Sequence, residues 1–428
     1  MKKLRAIDLF AGCGGLSEGF ESSGHFEAVA HVEWEHAPAQ TIRERLVQMG
    51  RMSGQDAEQR VLRFDMQRTQ ELLGGWKGDQ TYGTSPGLIE LTDGQHVDLI
   101  IGGPPCQAYS MAGRVRDENG MQFDYRNYLF EKYLEVVKRF EPDVFVFENV
   151  PGMLSAAPGG TPIVERIRDA FDRAGYEVLS DLKKALVDLS DYGVPQQRTR
   201  VIIVGLRKSV FGQSAGDLLV KLYSELLPAQ GGSRKTASDA IGDLPRLLPC
   251  KEPFRLEGRR YSHWSTRILG MPVDRHHLPR FHSARDIAIF RDLAADAQLP
   301  YGKRLFRTVD DIKALYEART GHTSAVHKYF VIKPDEQSNT IPAHLHKDGL
   351  RHIHWDPEQA RSITVREAAC LQSFDRDHRF YGSQSDAYKM IGNAVPPEFA
   401  RRLARAVREL FASIEGQQVV VGDELALM

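Results

Sequence analysis

Cysteine is scarce in this chain. Cys13, Cys106, Cys250 and Cys370 stand far apart, with no CxxC pair and no spacing that a disulfide framework or a thiolate zinc site would need. Long apolar runs are missing as well. None approaches the roughly 18 residues that crossing a bilayer takes, so no membrane association is expected. The lysines near the start are followed by no apolar stretch of the kind a secretory signal carries. A reducing, cytoplasmic setting fits this usage, with any important cysteine acting as a thiol. The sequence has no internal repeat and no low-complexity tract. Its net charge of −1 points neither toward nor away from nucleic acid. The charge is unevenly spread, however: between Arg246 and Asp286 nine Arg or Lys residues face four acids, with four histidines among them. A solvated basic face and a surface that tracks phosphates both fit that stretch.

What is present suffices for two domains, or for one domain with another inserted, because 42% of 428 residues are apolar. Up to residue 207, strand-like runs (LRAIDLF, EAVAHVEW, VLRFD, HVDLIIGGPP, DVFVFENV) alternate with turns and helical patterns such as LFEKYLEVVKRF. Such alternation predicts a largely parallel, doubly wound α/β sheet. RVIIVGLR follows GVPQQRT with no helix between, which predicts an antiparallel last strand. From about residue 209 to 360 periodicity weakens and Gly, Pro, Ser and basic residues become frequent, the pattern of a separate, less regular domain. Regular structure returns in RSITVREAACLQSF, where Thr364 is the expected N-cap with Glu367 three residues on. An amphipathic helix is expected over 397–414, started by prolines.

Chemistry-bearing residues gather at the predicted strand ends. After the first strand comes Phe10-Ala11-Gly12-Cys13-Gly14-Gly15, and Glu33 stands at the end of the second, followed by Trp34. A Gly-rich turn with an acid about 20 residues on binds ribose-bearing ligands. A purely structural turn and a dinucleotide site also fit. The pattern GxGG, without the third glycine of a pyrophosphate turn, tilts toward a nucleoside ligand with Trp34 stacking on its adenine. The fourth strand runs into Gly102-Gly103-Pro104-Pro105-Cys106-Gln107 and the fifth ends in Glu148-Asn149-Val150. Alone, Cys106 reads more readily as a packing residue. Beside an acid closing the neighbouring strand it reads as a nucleophile with an acid partner. Gln196, Arg198 and Arg200 alternate, so in an extended segment all three would point to one side.

DLFAGCGG, VEW, FD, GGPPCQAYS, ENV, PQQRTR, TVREAACLQSF and GNAVPP follow one another in an order that resembles the DNA (cytosine-5) methyltransferases, across residues 4–207 and 360–410. The resemblance implies a Rossmann-like S-adenosylmethionine-dependent fold formed by residues 1–208 and 376–428. It also implies an inserted target-recognition domain over 209–375, with a hinge near 361–375. It implies that Cys106 adds to carbon 6 of a flipped cytosine, Glu148 holds or protonates N3, Arg200 binds O2 and Arg198 positions the ring. Gln107, with Ser110, Arg114 and Arg126 in a loop over 110–126, would meet the DNA. Phe10, Gly12, Cys13, Gly14, Gly15, Glu33, Trp34, Asp65, Pro105, Leu129 and Asn393 would surround S-adenosylmethionine. Double-stranded DNA is the implied partner of a monomeric, nucleoid-associated enzyme, with a cognate restriction or phage-defence system beside it. No metal is expected: His344, His346, His352 and His354 lack the usual ligand spacing. One departure is a polar, Gly-rich insert between Asp65 and the PPC motif, expected as a surface loop. The tRNA-methylating branch of the family is the nearest alternative, but its Cys-Phe-Thr is absent, since Lys-Glu follows Cys250. A catalytically silent homologue, the other alternative, would be expected to have lost part of the PPC, ENV or QxRxR set.

Overall fold

The computed structural model describes residues 2–105, 129–157, 160–256, 258–265, 274–323, 329–347 and 349–426. Twelve strands are present among them: β1 (Leu4–Leu9), β2 (Phe26–Glu33), β3 (Val61–Arg63), β4 (Trp76–Asp79), β5 (Gly83–Ser85), β6 (Leu99–Gly102), β7 (Val144–Asn149), β8 (Tyr176–Glu177), β9 (Leu186–Asp188), β10 (Thr199–Arg207), β11 (Leu247–Leu256) and β12 (Arg259–Ser265). The chain packs as two compact units. One comprises residues 1–193, 198–233 and 394–428, the other 194–197 and 234–393.

The first unit is built on a sheet ordered β3-β2-β1-β6-β7-β10-β8, with β9 on β10. β1, β2, β3, β6 and β7 run parallel, and β10 runs antiparallel to β7 as its short connection predicted. Every residue of β6 and β7 is buried. That two-sided burial is why both read as unbroken apolar runs rather than as alternations. The chain order reverses between β1 and β6, so the carboxyl ends of these strands flank a switch point, the place where open α/β sheets bind ligands. Helix Leu129–Phe140 covers one face and inserts Tyr133, whose hydroxyl lies 3.0 Å from the Ile100 and the Val146 carbonyls. The two chain ends meet here. Helix Gly15–Ser22 lies so close to helix Pro397–Ala426 that a Cβ on Gly19 would stand 2.3 Å from that of Ala400.

Three expectations need correction. Residues 209–233 belong with the sheet, because Leu219, Leu222 and Leu227 are buried and the Tyr223 hydroxyl donates to the Ile202 carbonyl (2.5 Å). Residues 376–393 belong with the second unit, where the Tyr388 hydroxyl donates to the Ile363 carbonyl (2.8 Å). The insert before β6 is not a surface loop: helix Thr69–Gly74, the β4/β5 hairpin and helix Gly87–Leu91 bury Leu72, Leu73, Trp76 and Leu88.

The second unit holds a small apolar core of Ile289, Phe290, Leu293, Leu315, Tyr329 and Ile353, and beside it a buried polar network. Arg361 pairs with Glu367 through two bonds of 2.7 Å, and Thr364 caps helix Val365–Leu371 as expected. His263, His277, His282 and His354 are buried around them, and burial pushes His263 down to about 4 and His354 to about 3. These histidines are therefore neutral packing groups at pH 7, which removes three of the four histidines of the basic stretch, His263, His277 and His282, from the surface that it suggested. The arginines of that stretch are placed differently. The β11/β12 ribbon is fastened at its base, where Gln359 accepts from Leu247 N and from His263 Nε2 (2.9 Å each). Farther out Phe254 stacks on Tyr261, and Arg255 stands directly across from Arg260, with Arg259 next to it. Like charges facing each other across a ribbon are destabilising, and among the described residues none of these three arginines meets a carboxylate.

Candidate active site

The first unit's strand ends carry the site. At the end of β1, Phe10 takes a left-handed backbone (φ 56) that costs a non-glycine residue about 1–3 kcal/mol. The chain then turns through Gly12 and Gly14, both at positive φ, and a Cβ on Gly12 would meet nothing within 4 Å, so this turn has an open side. Glu33, ending β2, braces it: Oε2 accepts from Gly12 N (2.8 Å) and Oε1 from Glu35 N (2.7 Å). Burial pushes the Glu33 carboxyl up to about 7, although the N–H groups of Glu35, Gly12 and Trp34 pull the other way. A carboxylate offers about four acceptor positions, so acceptor capacity remains for a hydroxyl. Cys13 is buried beneath the turn, so its position contributes backbone and its thiol is withheld. Trp34 is 52% exposed at the adjacent edge. Asp65 follows β3 half-buried, its Oδ1 accepting from Gln67 N (2.9 Å). Leu129 is buried at the start of its helix, and Pro105 is exposed.

Two strands away lies a second constellation. Glu148 sits near the end of β7, and its Oε1 is 2.9 Å from Arg200 Nε on β10. The other oxygen, Oε2, faces Gly103, where a Cβ would stand 2.8 Å away. A larger residue at 103 would have to displace the end of the Glu148 side chain. Asn149 ties the same turn down, its Nδ2 donating to the Pro104 carbonyl (3.4 Å). Cys106 and Gln107, two residues beyond that carbonyl and three, lie outside the described residues, as does the 110–126 loop. Asn149 had no assigned role from sequence; the signal available was a second polar side chain, after Glu148, closing an otherwise apolar strand.

Arg198 and Gln196 do not join Arg200. Arg198 is fully buried and donates to the Ala394 carbonyl (2.8 Å), fastening the returning chain end to the sheet. Gln196 belongs to the second unit, where its amide donates to the Leu371 carbonyl and accepts from Ile341 N. The alternation misleads because β10 begins only at Thr199, so the three residues never share one strand. Asn393 is exposed at the end of helix Gln384–Asn393 in the second unit. Among the described residues one group, His96, Asp98 and Asp143, is close enough to share an ion. It stands at the opposite ends of β6 and β7, already engaged with Arg5 N and with itself.

An open, mostly parallel sheet with an open Gly-rich turn at its switch point and an acid–guanidinium pair two strands away defines an α/β protein of the ligand-binding, doubly wound class. The chain belongs to the C-5 cytosine-specific DNA methylase family, whose model matches residues 4–76 and 77–409. It is 34% identical to the type II methyltransferase M.Bpa9945I of Bacillus paralicheniformis, over 94% of this chain and 98% of that one. To the type II methyltransferase M.AgeI of Thalassovita gelatinovora it is 31% identical, over 95% and 99%. Its fold is shared with a DNA modification methyltransferase encoded within an E. coli prophage, at 23% identity and TM-score 0.58, over 96% of this chain and all of that one. S-adenosylmethionine is the family's methyl donor. The open Gly12 turn, the spare acceptor capacity of Glu33 and the exposed Trp34 ring fit its nucleoside end. No helix among the described residues is long and apolar enough to cross a membrane.

Proposed function

We propose that this chain methylates carbon 5 of a cytosine flipped out of a specific double-stranded DNA sequence, through a covalent bond between Cys106 and carbon 6. The Glu148–Arg200 pair carries this reading. Cytosine presents N3 beside its amine on one edge and O2 next along, so a carboxyl can address the first two and a guanidinium the third. Thymine would set its O4 carbonyl against the carboxylate and be rejected. Bound S-adenosylmethionine supplies an electrophilic methyl group. Addition of the Cys106 thiolate to carbon 6 makes carbon 5 nucleophilic, and a proton held by Glu148 at N3 neutralises the charge pushed into the ring. A base such as water then takes the carbon-5 proton, the carbon-6 bond to sulfur breaks to release the Cys106 thiolate, and the N3 proton returns to Glu148 as the ring is restored.

The second unit is read as the target-recognition part and its β11/β12 ribbon as a DNA contact. A two-stranded ribbon fits a major groove about 12 Å wide, and phosphates would relieve the facing arginines. The type II relatives support a restriction–modification setting, with the enzyme acting in the cytoplasm as a monomer on the nucleoid. Bisulfite sequencing of DNA from cells expressing the chain should show protected cytosines in one sequence context; uniform conversion would overturn the function. In the same assay Arg255→Glu with Arg259→Glu should lower protection about tenfold or more and flatten the salt dependence of DNA binding. An unchanged salt slope would remove the ribbon from the interface.

Glu33 makes cofactor binding pH-dependent. Its folded carboxyl, raised to about 7, is largely protonated below that pH. Ribose hydroxyls donating to the ionised form would lower the pKa, so binding expels a proton. Affinity for S-adenosylmethionine should therefore rise as pH increases from about 6 to about 8, and then level off. Glu33→Gln should bind more weakly and without that slope. Calorimetric titration across this window decides it, and a flat wild-type profile would detach Glu33 from the ribose.

A further inference from the structure

The insert between Asp65 and β6 has no task in the reaction just described, yet it is closely packed and hydrogen-bonded. Gly75 and Gly87, both at positive φ, meet at the hairpin base so closely that a Cβ on Gly87 would stand 2.3 Å from Gly75 N. Trp76 stacks on Phe64 with ring centroids 3.9 Å apart, which anchors β4 to the residue before Asp65. In the turn between β4 and β5, Asp79 Oδ1 accepts from Thr81 N (2.8 Å) and Tyr82 N (2.9 Å). The other carboxylate oxygen takes Arg68 (2.7 Å), whose guanidinium lies 4.7 Å over Phe64. The Tyr82 backbone is thereby fixed, and its ring packs on Phe64 at 5.0 Å.

From this mount the Tyr82 hydroxyl accepts a hydrogen bond from Trp34 Nε1 (3.1 Å). Trp34 follows Glu33, and its ring is the large exposed aromatic at that edge of the cradle. An exposed indole samples several rotamers, and a ligand that stacks on it must freeze one of them. A hydrogen bond from a pinned hairpin freezes it beforehand. We infer that the insert is a working part of the nucleoside pocket, with Tyr82 the positioning residue that holds the Trp34 indole for the adenine of S-adenosylmethionine. This rests on the reading of Trp34 as the adenine-stacking residue. It also explains why a stretch so polar and Gly-rich folds into a pinned hairpin instead of remaining a loop.

Tyr82→Phe keeps the ring and removes only the hydroxyl, so the hairpin should fold. Calorimetric titration of the full-length variant with S-adenosylmethionine should give a Kd raised about three- to tenfold. KM for the cofactor should rise with it, while kcat at saturating cofactor and the Kd for DNA stay at wild-type values. In a Trp34→Phe background, itself weakened, adding Tyr82→Phe should change nothing further, because the two residues act through one bond. If Trp34→Phe weakens cofactor binding and Tyr82→Phe does not, the role of Tyr82 is overturned and the adenine reading stands. If Trp34→Phe leaves the Kd unchanged, that reading of Trp34 has failed and the inference falls with it. Additive losses in the double variant, accompanied by a lowered Tm, would mark Tyr82 as merely structural and also overturn it.

Discussion

Cys106→Ser should abolish cytosine methylation while leaving S-adenosylmethionine binding intact. Carbon 5 of cytosine is too weakly nucleophilic to take a methyl group unaided, so the reaction depends on a nucleophile at carbon 6. A thiol is partly ionised at neutral pH, whereas a serine hydroxyl in the same place is not, and the loss should reach about 10⁴-fold or more. The other three cysteines cannot substitute. Burial pushes the Cys13 thiol far up, raises Cys370 to about 11 and raises Cys250 as well. None of the three offers an appreciable thiolate at pH 7. The turn that precedes Cys106 is held by Asn149 at Pro104 and by the close pass of Gly103 over Glu148. DNA carrying 5-fluorocytosine at the target should trap wild-type protein as a covalent adduct, because the fluorine at carbon 5 cannot leave as a proton does. Denaturing electrophoresis reads that adduct directly. Appreciable methylation by Cys106→Ser, or no adduct with the wild type on a verified target, would sink the covalent route.

The parallel sheet was legible because burial on both faces writes strands as apolar runs, and the functional side chains sit where those runs break off. LIIGGPP and VFVFENV show both the strand and its chemistry in seven residues each. The spacing between Gly12 and Glu33 was legible too, but not that Glu33 braces the turn through its backbone. What stayed hidden involves partners distant in sequence. Nothing in the local sequence around Arg198 announces its carbonyl partner, Ala394, 196 positions away. The second unit gave little periodicity because much of its interior is polar: an Arg361–Glu367 pair and neutral histidines pack where apolar residues would have left a pattern. The insert before β6 misled for a related reason. Its core consists of Leu72, Leu73, Trp76 and Leu88, too few and too unevenly spaced to mark a helix or strand among the glycines.

Glu148→Gln isolates the proton from the charge. The amide keeps an oxygen for Arg200 and for the cytosine amine and nearly the same volume beside Gly103, so folding and base binding should change little. What it cannot do is give a proton to N3 as the thiolate adds. Loss of general acid assistance of this kind costs about 10²–10⁴-fold, roughly 3–5 kcal/mol, and it should appear in kcat with KM for DNA almost unmoved. Arg200→Ala should behave differently. It removes the O2 contact and leaves Glu148, only 11% exposed, without its guanidinium, so both KM and thermal stability should suffer. Adduct trapping separates the steps. On 5-fluorocytosine DNA, Glu148→Gln should still form the covalent complex, but more slowly by the factor seen in kcat. Cys106→Ser should form none. If Glu148→Gln turns over at the wild-type rate, N3 protonation is not what the carboxyl supplies, and the 2.9 Å pair with Arg200 would then serve to orient the base alone.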